Sequence, residues 1–135
     1  KIHLYKKVIA MTLSRLPENE LLVMQILWSC GGDASSDDIV SRFLLQKEWE
    51  RPAILTLLKR LEKKGFVRCR KDGRRNMYTA LVGEKEYLAF ESRGFLDRLY
   101  GSSVKKLVVT LYRSHDISAA DLEELRQFLE EEKKP

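Results

Sequence analysis

Between Arg51 and Lys64 the apolar residues Ile54, Leu57, Leu58 and Leu61 recur at i, i+3, i+4 and i+7, the spacing of one helix face. Helical winding puts Pro52, Thr56, Lys59 and Lys63 on the opposite face. Ala53 and Arg60 flank that outer face on one side, Leu55 and Glu62 on the other. Gly65 then supplies the left-handed residue a helix end wants. Phe66–Arg70 and Asn76–Ala80 follow as extended runs joined by Lys71-Asp72-Gly73-Arg74-Arg75. Asp-Gly signals a hairpin because both residues tolerate positive φ.

Two more helices precede this block. Pro17 stands at a first helical turn with Glu18 and Glu20, and Leu21, Met24, Leu27 and Trp28 make a stripe that Gly31-Gly32 ends. Ser35 with Asp38 is a shortened capping box, opening a helix through Ile39, Val40, Phe43 and Leu44. Gln46–Glu50 forms the next turn, and Pro52 suits an early helical position where its missing N–H is harmless. The fold class predicted is mainly α with a small β-hairpin wing. Three short helices and a hairpin are the order of a winged helix–turn–helix, whose third helix enters the DNA major groove.

Past Val82 the pattern is helical alone. Glu84–Tyr100 carries Tyr87, Leu88, Phe90, Phe95, Leu96 and Leu99, and Tyr100 and Gly101 close it. Val104, Leu107, Val108 and Leu111 repeat the spacing after Ser102-Ser103, and Ser118 with Asp121 opens a last helix bearing Leu122, Leu125, Phe128 and Leu129. These roughly fifty residues are too few to bury such faces alone. The expected solution is an α-helical dimerisation arm in which two copies interlock, which would set two recognition helices one DNA turn (~34–36 Å), or a multiple of it, apart on a palindromic operator. The alternative is that the three helices fold back on the winged domain in a monomer. The expected organisation is an N-terminal extension over 1–13, a winged-helix domain over 14–82 and the arm over 83–135. Met11 is a plausible natural start, with residues 1–10 upstream of it.

Charge sharpens this picture. Residues 47–75 hold eleven Lys/Arg against four acids, a net of +7, whereas 118–135 hold three bases against six acids. A basic helix and hairpin with an acidic far end suits an oriented phosphate binder; the competing reading is a solvated basic surface. No apolar run approaches the roughly 20 residues of a membrane span, so no membrane insertion is expected. The two cysteines, Cys30 and Cys69, are expected as reduced thiols in a cytoplasmic protein, and with His3 and His115 they show no zinc spacing. No metal, cofactor or enzyme chemistry is expected: no Ser/His/Asp set and no phosphate-binding glycine loop stands out.

On this reading Thr56 and Arg60 lie in or beside the major groove, where Arg can pair with guanine O6 and N7. Lys59 and Lys63 meet phosphates, Arg74 and Arg75 reach phosphate or minor groove from the wing tip, and the helix opening at Ser35 offers N–H groups to a phosphate. Arg60 also reads as a surface partner of Glu48 or Glu62, and Ser35 as a plain cap. Tyr78 reads as packed in the sheet rather than stacked on a base.

These residues together resemble the penicillinase repressors (the BlaI/MecI/CopY group). The resemblance runs from Leu16 to about Glu131 on Glu20…Val23-Met24…Ile26-Leu27-Trp28, Ile54-Leu55-Thr56-Leu57-Leu58-Lys59-Arg60-Leu61-Glu62-Lys63-Lys64-Gly65 and Asp72-Gly73-Arg74…Tyr78. In the arm it rests on Phe95-Leu96-Asp97-Arg98-Leu99-Tyr100-Gly101 and Asp121-Leu122-Glu123-Glu124-Leu125. It implies a homodimeric repressor of palindromic DNA, released in some relatives when a membrane sensor-protease system leads to a cut in the arm. The copper-responsive branch uses a C-terminal cysteine cluster, which this chain lacks. Ala53 stands where the family often has threonine, and Leu55 where some repressors have arginine, so operator sequence does not carry over. The Asn-Phe bond cut in the β-lactam repressors falls on Thr110-Leu111 here. Two other classes stay open: a winged-helix module for an acidic protein partner, and a small-molecule-sensing repressor of another family.

Overall fold

The computed structural model describes residues 13–135. The expected N-terminal extension and Met11 lie outside the described residues, except Leu13, which packs half-buried against the core. Pro17, extended at φ −58° and ψ 156°, launches α1 (Glu18–Ser29). Leu22, Val23, Met24, Ile26 and Leu27 form its buried face. The chain then makes a short strand, β1 (Asp33–Ser35), that the sequence pattern did not foretell: three residues are too few to show an alternation. Ser35 ends this strand and caps α2 (Ser36–Leu44), its Oγ accepting from the Asp38 N–H at 3.1 Å. Ile39, Val40 and Phe43 are buried, whereas Leu44, expected beside them, is exposed at the helix end.

In α3 (Arg51–Lys63) Ile54, Leu57, Leu58 and Leu61 are buried, as their spacing predicts. Each such side chain contributes roughly 1.5–3 kcal/mol over an exposed position. Gly65, at φ +83°, ends the helix in a Schellman motif: its N–H donates to the Glu62 carbonyl and that of Phe66 to Leu61.

Strands β2 (Val67–Asp72) and β3 (Arg75–Ala80) form an antiparallel hairpin, and β1 adds to the far side of β3, giving the order β1-β3-β2. The turn is tighter than the expected five residues, because Asp72 pairs with Arg75 and leaves only Gly73-Arg74 between the strands. Of these two only Gly73 has positive φ, +65°, so the turn uses glycine at its first central position rather than left-handed residues at both. Val67 and Tyr78 face the core, while Arg68 pairs with Thr79, and Thr79 with Asp33, on the outer face.

Three helices follow: α4 (Glu84–Tyr100), α5 (Val104–Arg113) and α6 (Ala119–Glu132). Two compact units divide at Glu91/Ser92, not at 82/83. The reason is Tyr87, which is 1% exposed and stacks near Trp28, Phe66 and Phe90 with ring centroids 5.8–6.0 Å away. Its hydroxyl accepts from the Leu16 N–H at 2.8 Å, and Trp28 Nε1 donates to the Val82 carbonyl at 2.9 Å. The first turns of α4 therefore complete the winged core.

Within the second unit, α5 and α6 bury no residue. Leu99, Val104, Tyr112, Leu125, Phe128 and Leu129 are exposed, and Phe95 with them. Of the other residues expected at a dimer interface, Leu96, Tyr100, Leu107, Val108, Leu111 and Leu122 are half-buried. The ends of these helices are nonetheless well made. Ser103 and Ser118 cap α5 and α6, the latter in a reciprocal capping box with Asp121. Hydrogen bonds from Ser118 hold the Asp121 carboxyl below the usual carboxylate range.

Candidate nucleic-acid interface

The buried face of α3 fixes what its other face presents. Ala53, Thr56, Lys59, Arg60 and Lys63 are all exposed, and Leu55 is half-buried. Thr56 Oγ1 donates to the Pro52 carbonyl at 3.0 Å, a bond back along its own helix. Arg60 makes neither of the surface pairings considered for it: among the described residues no carboxylate lies within 4.0 Å of Lys59, Arg60 or Lys63.

The structure sorts the basic block into two sets. Lys47 lies 3.7 Å from Glu18, and its Nζ donates to Asn19 Oδ1. Arg51 meets Asp37 at 2.7 Å, Lys64 meets Glu20 at 2.6 Å, and Arg70 meets Asp33 at 3.0 Å. Arg75 is loosely held by Asp72 at 3.9 Å. Lys59, Arg60 and Lys63 on α3, with Arg68, Lys71 and Arg74 on the hairpin, have no such partner among the described residues. All six are exposed. An unpaired surface cation is free to exchange water for phosphate without first breaking an ion pair.

Arg68 and Lys71 join this set although the motif pattern did not single them out. The signal that finds them is local. Strand alternation with Val67 buried sends Arg68 outward, and Lys71 lies one pair before the turn. Ser35 goes the other way. It is 4% exposed, its hydroxyl serves the α2 cap by accepting from the Asp38 N–H, and Asp37 and Asp38 stand in the turn above it. Tyr78 lies in the sheet against the core, 6% exposed; burial first, then a hydrogen bond with Cys69, pushes its phenol up to about 12.

The remaining candidate chemistry is sparse. Cys30 and Cys69 are free thiols, both half-buried against the core. Among the described residues no group of three or more His, Cys, Asp or Glu is placed to hold a metal, and no helix is long and apolar enough to cross a membrane. The Thr110-Leu111 bond lies inside α5, with Thr110 Oγ1 donating to the Lys106 carbonyl at 2.7 Å.

Comparison with known proteins matches this arrangement to one family. Residues 16–131 fit the family model described as penicillinase repressor. The chain is 29% identical over 121 residues to a penicillinase repressor of Bacillus licheniformis, covering 90% of this chain and 94% of that protein. It is 35% identical over 107 residues to the methicillin resistance regulatory protein MecI of Staphylococcus aureus (strain N315), covering 79% and 86%. Among solved structures it is similar to Bacillus licheniformis BlaI in monomeric form in complex with the blaP half-operator, with 28% identity, a TM-score of 0.48, and coverage of 55% of this chain and 89% of that one. The chain belongs to the penicillinase repressor family.

Proposed function

We propose that this protein is a DNA-binding transcriptional repressor that binds a palindromic operator as a homodimer. The observation that carries the DNA contact is the set of six unpaired cations on the outer face of α3 and the β2–β3 hairpin, on a unit whose opposite faces are buried. Thr56 and Arg60 meet base edges, with Ala53 beside them, while Lys59, Lys63, Arg68, Lys71 and Arg74 neutralise phosphates and Arg75, paired with Asp72, stands next to them at the wing tip. Family membership supports the same reading.

Support for the dimer comes from the second unit. Helices α5 and α6 bury nothing in one chain, yet carry Val104, Leu125, Phe128 and Leu129 in the open; together with the exposed Leu99 near the end of α4, these residues gain their apolar contacts from a second copy. A symmetric dimer reads a palindrome, since each copy presents the same helix to one half-site. Release by a partner protease cutting at Thr110-Leu111 would require α5 to open first, because that bond is mid-helix.

The test is selection of duplexes from a randomised pool, with the mass of the free and bound protein measured by sedimentation. A palindromic sequence bound by two chains, far tighter than random duplex, is the expected result. Absence of duplex binding at moderate salt would transfer the basic face to an acidic protein partner.

A further inference from the structure

The helix that presents Lys59, Arg60 and Lys63 is tethered at both ends by ion pairs to the two helices that precede it. At its C-terminal end Lys64, the cap residue, meets Glu20 on α1 at 2.6 Å. At its first turn Arg51 meets Asp37 on α2 at 2.7 Å. Both carboxylates stand in the first turns of their own helices, where the backbone dipole favours negative charge. Glu20 is 3% exposed, and among the described residues Lys64 is its only side-chain hydrogen-bond partner.

Stability is a poor account of such a burial. Removing a carboxylate from water costs about as much as the ion pair returns, and two apolar side chains of similar size would pack as well. What the pair adds is direction. A charged contact near 2.6 Å fixes the distance between two helices more narrowly than an apolar contact does, and readout of base edges by side chains tolerates only a fraction of an ångström of misplacement. The tethers also withhold two cations from phosphate, while Lys59, Arg60 and Lys63 between them stay unpaired. A helix held this way presents fewer charges, better aimed.

We infer that Glu20 and Asp37 are positioning residues for sequence readout: through Lys64 and Arg51 they aim α3 and keep those two cations off the DNA backbone. This rests on the DNA-binding reading above. The experiment measures full-chain protein on a duplex selected from a randomised pool by the wild type, and on a random duplex of equal length. Wild type that binds neither in a salt-sensitive manner refutes the DNA reading itself. Given wild-type binding, Glu20→Gln and Asp37→Asn are each expected to lower the selected-to-random affinity ratio about tenfold, with random-duplex affinity undiminished and its salt slope no shallower. Destabilisation alone lowers both affinities in proportion and leaves the ratio unchanged. Asp37 is exposed, so its variant decides the matter if Glu20→Gln fails to fold. An unchanged ratio in Asp37→Asn, or in folded Glu20→Gln, overturns the inference.

Discussion

Salt titration turns the sorting of cations into a number. Six Lys and Arg side chains of the α3–hairpin face have no carboxylate partner among the described residues. With Arg60 assigned to a base, five remain for phosphates, and at ~0.9 per neutralised phosphate the slope of log affinity against log salt is about −4.5 per chain. Raising salt from roughly 50 to 200 mM then weakens binding to a half-site by about 500-fold, and a dimer on a full site shows a slope near −9. Lys63→Ala removes one contact: the slope becomes shallower by about 0.9, and affinity falls evenly for every sequence. Fluorescence anisotropy with labelled half-site and full-site duplexes across a salt series reads both quantities. A slope shallower than about −2 per chain would mean that these cations do not face phosphate, however well the helix fits the groove. Had all eleven bases of residues 47–75 been counted, the expected slope would be about twice as steep, so the measurement also tests whether the tethered cations stay tethered.

Other outcomes follow from particular contacts. Arg60→Ala should cost roughly 1–3 kcal/mol on the selected duplex and relax preference at one position per half-site; a folded variant with unchanged affinity removes Arg60 from the readout. Tyr87→Phe orphans the buried Leu16 N–H and should destabilise the fold by about 1–3 kcal/mol in urea unfolding. Burial first, then a hydrogen bond to Glu91, pushes the Tyr87 phenol up to about 12. The folded value lies above the unfolded one, so this contribution is whole below pH ~10 and lost as pH rises towards 12. Unfolding curves at increasing alkalinity should therefore fall less steeply for Tyr87→Phe, and an identical fall in both proteins would contradict that sign. Leu99→Asp or Phe128→Asp should weaken self-association by tenfold or more, since a desolvated apolar side chain contributes roughly 1.5–3 kcal/mol; an unaltered sedimentation profile would put the interface elsewhere.

The parts of this fold that the sequence announces are those whose cause is local. The α3 stripe of Ile54, Leu57, Leu58 and Leu61, the Gly65 stop and a hairpin turning at Gly73 each depend on neighbours a few residues away, and each stands in the structure, the turn with Gly73-Arg74 rather than Asp72-Gly73 at its centre. What escaped depends on distant partners. Strand β1 exists because β3 lies beside it, some forty residues on, and nothing within Asp33–Ser35 says so. Tyr87 was legible as apolar on a long helix, but α4 has apolar residues on more than one side, and only the core decides which side belongs to the winged unit. The site divides the same way. Exposure of Thr56, Lys59, Arg60 and Lys63 follows from helical spacing, whereas the capture of Lys64 by Glu20 and Arg70 by Asp33 joins residues 44 and 37 positions apart.

Ser35 has a mechanical meaning beyond its hydrogen bond. One residue ends the strand that pairs with β3 and begins the helix that precedes α3, so no slack separates sheet from helix. Across the outer face Asp33 accepts from Thr79 at 2.7 Å and holds Arg70, lacing all three strands together. A hairpin attached only by its own two strands would swing about its root. This one is sewn at its side to the start of α2, so a pull on Lys71 or Arg74 is felt there. Grip at the wing is thus a load on the helix–turn–helix, and the two work as one jaw.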